Sequence, residues 1–114
     1  MVNLRASLIN GCAYCIALHT NEARKLGISD DRIHLLPAWR ETDLYSERER
    51  AALALTEAMT RISDGPVSDE IYADASRHFS DKELVDLALL VTVINSYNRM
   101  AITFRATPPK IKRP

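Results

Sequence analysis

Two copies of a helix-start signal constrain the fold of this chain more than any other feature of its sequence. The segments SERE (residues 46–49) and SDKE (residues 80–83) each place a serine three residues before a glutamate. In such a capping box, the two side chains accept hydrogen bonds from backbone amides that the first helical turn leaves free. Apolar residues follow both boxes at helical spacing. The sequence therefore predicts one helix that ends before Asp64-Gly65-Pro66 and a long helix over about residues 84–104.

Two shorter helices and one ambiguous segment are also predicted. Ser29 is placed to cap a helix over about residues 32–36 that Pro37 stops, and Ser68 is placed to cap another. The β-branched run at residues 91–94 would favour a strand, but a lone strand in a helical chain has no partner. We therefore interpret this run as buried helix.

The first quarter of the chain has the same helical periodicity. Apolar residues recur every three to four positions over residues 4–26, with a break near Gly11 and a stop at Gly27. The chain holds only three glycines, as suits helices. We expect one all-α domain of five to six helices over residues 1–109, followed by a short basic tail at residues 110–114.

Charge and hydropathy exclude several classes of function. Fifteen basic and fifteen acidic residues cancel, and no basic block alternates with aromatic residues, so nothing indicates a nucleic-acid partner. The longest apolar stretch is far shorter than the roughly 20 residues of a membrane span, and the start lacks the pattern of a signal peptide. We therefore expect a cytoplasmic protein with no membrane partner. In that reducing compartment, a C-x-x-C pair is more often redox-active or metal-binding than structural.

The two cysteines belong to a C-x-x-C-x-x-x-H motif formed by Cys12, Cys15 and His19. On a helix these positions lie within an arc of about 60°, and Cys15 and His19 have the i, i+4 spacing at which side chains meet. The imidazole could accept the Cys15 proton, and a helix N-terminus would lower the pKa of a nearby thiol. The second thiol could resolve a sulfenic acid to a disulfide. Such a thiol peroxidase or disulfide oxidoreductase needs no metal or bound cofactor.

Spacing alone leaves other interpretations of the motif open. A zinc site could combine the cysteines and His19 with water, His34 or His78. The cysteines could also be inert core residues. A thioredoxin-type site is disfavoured because no strand-like pattern precedes Cys12, and a c-type haem is disfavoured because residue 16 is isoleucine.

A longer stretch around the motif resembles a known superfamily. Residues 4–27, LRASLINGCAYCIALHTNEARKLG, are similar to the signature of the alkylhydroperoxidase D-like (AhpD-like), or carboxymuconolactone decarboxylase, superfamily. LPAWRETDLYSERERAALALTEAMT (residues 36–60) and INSYNRMAITFR (residues 94–105) resemble its single-domain members. The resemblance implies an AhpD-like helical bundle that assembles as a homo-oligomer, a trimer or hexamer, with the active-site helix near a subunit interface.

The resemblance also implies a reaction. Cys15 would be oxidised to the sulfenic acid, Cys12 would resolve it, and His19 would belong to the proton relay. The substrate would be a hydroperoxide, and an external dithiol would reduce the disulfide. The decarboxylating branch of the superfamily generally lacks the cysteine pair, so the pair favours a peroxidase. The alternatives are a non-catalytic redox-sensing or binding module and a lactone decarboxylase-like enzyme.

Two positions depart from the superfamily pattern. The relay there usually includes a glutamate about three helical turns before the first cysteine, a position that falls just before Met1. Either the protein begins further upstream, or Glu22 or Glu57 completes the relay. Some members also carry a histidine between the cysteines, where this chain has Tyr14. Tyr14 could donate a hydrogen bond to a peroxide, although packing is its commoner role.

Three polar residues interrupt the long C-terminal helix. Asn95, Asn98 and Arg99 lie in an otherwise apolar segment, and buried polar groups must find hydrogen-bond partners. They could line the pocket or a subunit contact. We favour a structural hydrogen-bonding role.

Overall fold

The computed structural model describes residues 1–108, which form six α-helices and two short 3₁₀ helices. The α-helices are α1 (Val2–Asn10), α2 (Ala13–Lys25), α3 (Asp30–His34), α4 (Glu47–Thr60), α5 (Asp69–His78) and α6 (Asp81–Thr103), and the 3₁₀ helices span Leu36–Glu41 and Ile62–Asp64. The prediction of an all-α fold with five to six helices is confirmed. The predicted domain end at residue 109 and the basic tail at 110–114 lie outside the described residues.

Both capping boxes form. The Ser80 hydroxyl accepts from the Glu83 amide at 3.2 Å, and the Ser80 amide donates to the Glu83 carboxylate at 3.0 Å. Ser46 and Glu49 make the same pair of contacts at the start of α4. The hydrogen bond from the Ser80 backbone, together with Arg48, lowers the pKa of Glu83 to about 2. Local sequence therefore sets the beginning of the two longest helices.

Removal of one cap tests this local control. We expect Ser80→Ala to lower the free energy of unfolding by about 1 kcal/mol, because the first turn of α6 loses a partner for a free amide. Ser96→Ala, on the exposed side of the same helix, should change it by less than about 0.5 kcal/mol. Urea denaturation followed by circular dichroism measures both. Equal effects of the two substitutions would contradict the role of the cap.

The break between α1 and α2 places the first cysteine. Gly11 has φ 70° and ψ 34°, a left-handed conformation that glycine adopts without strain. The amide of Cys12 then bonds back to the Ser7 carbonyl at 3.1 Å, and the same carbonyl also accepts from the Gly11 amide. The chain turns, and α2 begins one residue after Cys12.

The apolar core lies in two clusters that share α4. One cluster joins α1, α2 and α4 through residues that include Leu4, Ala23 and Leu53. The other joins α4, α5 and α6 and includes Leu55, Ala75, Leu87 and Val91. Since α6 also packs against α1 and α2, one face of the long helix reaches the segment that carries the cysteines.

Two details differ from the prediction. In the run at 91–94, Val91 and Ile94 are buried, whereas Thr92 and Val93 are exposed, so the segment is half-buried helix. The helix after Ser29 begins at Asp30 and ends at His34, earlier than predicted. Pro37 does not follow the end of a helix but lies in the first turn of a 3₁₀ helix, where its missing amide hydrogen costs no hydrogen bond.

Candidate active site

The two cysteines are adjacent, free and buried. Cys12 is 1% exposed and Cys15 is 3% exposed, and their sulfur atoms lie 2.6 Å apart. Cys12 has an extended backbone and is the N-cap of α2, where its sulfur accepts the Cys15 amide at 3.3 Å. The spacing predicted that Cys12 lies on a helix face. In the structure Cys12 instead precedes the first turn of α2. The pair needs little movement to form a disulfide.

A pocket of about 420 Å³ is lined by one of the two cysteines. Its walls come from α1, α2 and α6, and its lining residues are Asn3, Tyr14, Cys15, Leu18, His19, Leu90, Val93, Ile94, Tyr97, Met100 and Ala101. Cys12 is not among them. The pocket is mostly apolar, with Cys15 and His19 as its reactive groups. The two cysteines therefore differ in access, because a small molecule in the pocket meets Cys15 and not Cys12.

His19 has a carboxylate partner within its own helix. Its Nδ1 lies 2.9 Å from Oε2 of Glu22, and the histidine side chain is 14% exposed. With a proton on Nδ1, the neutral ring carries its accepting lone pair on Nε2. Among the hydrogen bonds of residues 1–108, none joins His19 directly to Cys15, although the i, i+4 spacing would allow one. The two side chains instead line the same pocket.

Glu57, the other carboxylate considered for the relay, belongs to a different cluster. It is buried and accepts hydrogen bonds from Arg5 at 3.0 and 3.2 Å, from Trp39 at 3.0 Å and from Arg40. Burial alone would raise the pKa of Glu57, but the bonds from Arg40, Trp39 and Arg5 outweigh it and lower the pKa. Glu57 does not line the cysteine pocket, so we assign it a structural role in the core. Glu22 is the carboxylate that contacts His19.

The environment of Cys15 reverses one expectation. Proximity to a helix N-terminus predicted a lowered thiol pKa, but burial raises the pKa of Cys15, and the hydrogen bond with Cys12 raises it further. The polar side chain of Asn98 acts on this pKa in the opposite direction without cancelling the rise. Cys12, not Cys15, occupies the N-cap. The resting form of Cys15 at neutral pH is the thiol, so its reaction requires a base.

This protonation state predicts the pH dependence of Cys15 alkylation. The thiolate is the nucleophile. The rate of alkylation by iodoacetamide should therefore keep rising with pH after the rate for an ordinary thiol has levelled off. The measurement uses Cys12→Ser protein, which has one thiol, and N-acetylcysteine as the control for an unperturbed thiol. A rate that levels off at or below the pH found for the control would contradict the raised pKa.

Polar residues from α1 and α6 form a largely buried hydrogen-bond network. The Asn10 amide donates to Asn95 at 2.8 Å and to Asn98 at 2.9 Å, and the Asn98 amide donates to the Ser7 hydroxyl at 3.0 Å. Asn95 and Asn98 are both buried, as the sequence suggested. Sequence reasoning missed Ser7 and Asn10 as members of this network. The presence of polar residues in an otherwise apolar helix was the feature of the sequence that pointed to this network.

The other candidate residues do not form a metal site with the cysteine motif. Within the described part of the chain, no group of three or more His, Cys, Asp or Glu side chains could hold a metal ion. His34 and His78 therefore do not add ligands to the motif. Tyr14 lines the pocket and is partly exposed. Among residues 1–108, no helix combines the length and apolar character needed to cross a membrane.

Comparisons with known proteins identify the family of this chain. The family model described as Carboxymuconolactone decarboxylase family matches residues 1–58, about half of the chain. The uncharacterised protein YdfG of Bacillus subtilis (strain 168) is 45% identical over 102 residues, which cover 90% of this chain and 69% of YdfG. The uncharacterised protein YnjA of Escherichia coli (strain K12) is 25% identical over 95 residues, which cover 83% of this chain and 52% of YnjA.

A crystal structure is also similar. It is that of ATU0492 from Agrobacterium tumefaciens, a protein of unknown function for which a role as the antioxidant defence protein AhpD has been suggested. The TM-score is 0.94 at 40% sequence identity, and the match covers 96% of this chain and 75% of that one. The chain therefore belongs to the carboxymuconolactone decarboxylase family and has its AhpD-like helical fold.

Proposed function

We propose that the protein is a thiol-dependent peroxidase that reduces hydroperoxides through the Cys12/Cys15 pair. One observation carries this proposal: two free cysteines are in contact, and only Cys15 opens onto an apolar pocket, beside a histidine with a carboxylate partner. The superfamily and the suggested antioxidant role of ATU0492 support the same reaction.

The first step oxidises Cys15. Its sulfur attacks the terminal oxygen of the hydroperoxide, an S–O bond forms, the O–O bond breaks, and the electron pair leaves with the alkoxide. His19 takes up the thiol proton, directly or through one water, and passes it to the alkoxide. The contact with Glu22 stabilises the charged imidazolium during the transfer. The products are a sulfenic acid on Cys15 and an alcohol.

The second step uses Cys12. Its sulfur attacks the sulfur of the sulfenic acid, an S–S bond forms and the S–O bond breaks. The hydroxyl group takes up the proton of the Cys12 thiol and leaves as water. Two thiols of an external dithiol donor then reduce the disulfide and are themselves oxidised. None of these steps requires a metal or a bound cofactor. A reducing, cytoplasmic setting would supply the donor.

The surface around the pocket supports self-association. Val93, Tyr97 and Met100 of α6 are exposed apolar residues at the pocket rim. Exposed apolar patches of this kind commonly mark protein interfaces. We therefore propose that the active protein is a homo-oligomer, a trimer or hexamer, with this rim near the subunit contact.

The number of turnovers tests the proposed function. With excess dithiothreitol, we expect each protein molecule to consume many equivalents of tert-butyl hydroperoxide or hydrogen peroxide. The control is the double variant Cys12→Ser, Cys15→Ser under the same conditions. Consumption of a single equivalent would overturn the enzyme assignment. It would favour a redox-sensing module, which the burial and raised pKa of Cys15 make the second candidate.

A further inference from the structure

The segment that carries Cys12 is attached to α6 at two neighbouring points of α1. Ser7 and Asn10 lie three residues apart, so they share one face of the last turn of α1. Both are hydrogen-bonded to asparagines of α6 that lie 85 to 91 residues further along the chain. Since Cys12 follows Asn10 by two residues, the position of this turn determines where Cys12 begins α2.

Asn10 binds two residues of α6 through one nitrogen atom. Its amide nitrogen lies 2.8 Å from the oxygen of Asn95 and 2.9 Å from the oxygen of Asn98, so both of its hydrogens are used. The orientation of Asn95 is fixed independently, because its oxygen accepts from the Arg99 guanidinium at 3.1 Å and a guanidinium can only donate. Asn10 must therefore present its nitrogen, which binds both asparagines on the face of α6 that meets α1.

Ser7 connects α6 to the backbone of the cysteine segment. Ser7 and Asn98 are both fully buried, and the Asn98 amide donates to the Ser7 hydroxyl at 3.0 Å. The Ser7 carbonyl accepts from the amides of Gly11 and Cys12, the latter at 3.1 Å. One residue therefore receives a hydrogen bond from α6 on its side chain and a hydrogen bond from Cys12 on its main chain.

Gly11 makes these hydrogen bonds important for the position of Cys12. It is exposed, with φ 70°, and the space where a Cβ would lie is open to 4 Å. Glycine has more backbone freedom than any other residue, and no side chain packs around Gly11 to restrict it. The direction in which the chain leaves α1 therefore depends on the hydrogen bonds that hold Ser7 and Asn10.

The far side of the held segment contacts Cys15. The carbonyl of Cys12 accepts from the Ile16 amide at 2.8 Å, and its sulfur accepts from the Cys15 amide at 3.3 Å. The two sulfurs lie 2.6 Å apart, so they are in contact before any reaction. Two reacting groups held in this way behave as if each were present at a high concentration around the other.

We propose that Asn98 is a positioning residue for disulfide formation. Through its hydrogen bonds with the last turn of α1, it holds Cys12 in contact with Cys15. This inference rests on the proposed function, in which the Cys12 sulfur displaces the hydroxyl group of the Cys15 sulfenic acid. The S–S bond forms, the S–O bond breaks, and water leaves with the thiol proton. Loss of Asn98 keeps both thiols but lowers the effective concentration of one at the other.

The equilibrium between dithiol and disulfide forms of Cys12 and Cys15 tests the proposal. Protein is equilibrated with mixtures of reduced and oxidised dithiothreitol, and mass spectrometry counts the disulfide after alkylation of free thiols. We expect Asn98→Ala to lower the equilibrium constant for disulfide formation by about tenfold, a rise of about 30 mV in reduction potential. Asn10→Ala should act in the same direction. Because Asn10 is only half-buried, this variant keeps the test available if Asn98→Ala does not fold.

Thr60→Val is the matched control for this equilibrium. Thr60 accepts from Asn95 at 3.0 Å, at the end of the polar network that is farther along the hydrogen bonds from Cys12. Its loss weakens the same network without removing a contact to α1, so its equilibrium constant should equal that of the wild type. An unchanged equilibrium in the folded Asn98→Ala and Asn10→Ala proteins, or the same shift in Thr60→Val, would overturn the proposal.

Hydrogen exchange of the Cys12 amide gives a second readout. This amide bonds to the Ser7 carbonyl, so its exchange should speed up by about tenfold in Asn98→Ala and Asn10→Ala but not in Thr60→Val. Equal exchange rates in all variants would show that α6 does not hold the segment. Neither measurement uses a peroxide. Absence of peroxidase turnover would therefore reject the proposed function alone, and an unchanged potential in protein that turns over would reject the positioning role alone.

Discussion

Cys12→Ser and Cys15→Ser are expected to abolish peroxidase turnover in different ways. Without Cys15, the pocket holds no thiol, and hydroperoxide consumption should fall by a factor on the order of 10³ or more, as when other nucleophiles are removed. Without Cys12, Cys15 should still react once, but no disulfide follows. Rapid-mixing measurement of peroxide loss separates the two variants: the fast first phase should consume one equivalent in Cys12→Ser, and no such phase should occur in Cys15→Ser.

Mass spectrometry of the treated proteins gives a second readout. Cys12→Ser protein should accumulate sulfenic acid and then sulfinic acid on Cys15, because the resolving thiol is missing. Wild-type protein should instead accumulate a Cys12–Cys15 disulfide when the reductant is omitted. If Cys15→Ser kept its turnover, or if oxidation began on Cys12, the assignment based on access from the pocket would be wrong.

Glu57→Gln is expected to destabilise the fold strongly. The Glu57 carboxylate neutralises Arg5, which is buried, and also binds Arg40 and Trp39. Removal of one partner from a buried ion pair leaves the other charge uncompensated, and we expect a loss of about 3 kcal/mol in the free energy of unfolding. Urea denaturation at neutral pH measures it.

An exposed ion pair provides the matched control for Glu57→Gln. Asp74 pairs with Arg77 at 2.6 Å, both on the surface of α5. Exposed pairs contribute little, so Asp74→Asn should change the free energy of unfolding by less than about 1 kcal/mol. A comparable loss in the two variants would show that the burial of Glu57 does not determine its effect.

The lowered pKa of Glu57 also predicts a pH dependence of stability. Because the folded protein binds this proton less tightly than the unfolded chain, the contribution of Glu57 is present above the unfolded pKa. It is lost as the pH falls through the lower folded pKa. The difference in stability between wild type and Glu57→Gln should therefore shrink on acidification. A difference independent of pH would contradict the ionised state of Glu57.

Much of the fold could be predicted from sequence because its determinants are local. The two capping boxes, the glycine break at residue 11 and the serine caps act within one or two helical turns. The end of the helix after Ser29 was predicted less well, because a proline can either stop a helix or begin the next one. The C-x-x-C spacing likewise indicated that the thiols could meet.

The candidate site was predicted only in part. Cys15 and His19 do line one pocket, but among the hydrogen bonds of residues 1–108 none joins the two side chains. Glu22 lies three residues from His19, so its contact was within reach of a helical-spacing argument. The contact between Arg5 and Glu57 spans 52 residues and has no local signal.

By itself, the sequence determined the helices, their caps and the presence of two thiols and an imidazole on a short segment. These features depend on backbone amides and side chains that are neighbours along the chain. Only the tertiary structure decided that Cys15 faces the pocket, that its pKa rises, and that Asn98 meets Ser7 across a separation of 91 residues. The reason is physical: burial and the direction of a buried hydrogen bond are set by how α1, α2 and α6 pack, which no local pattern specifies.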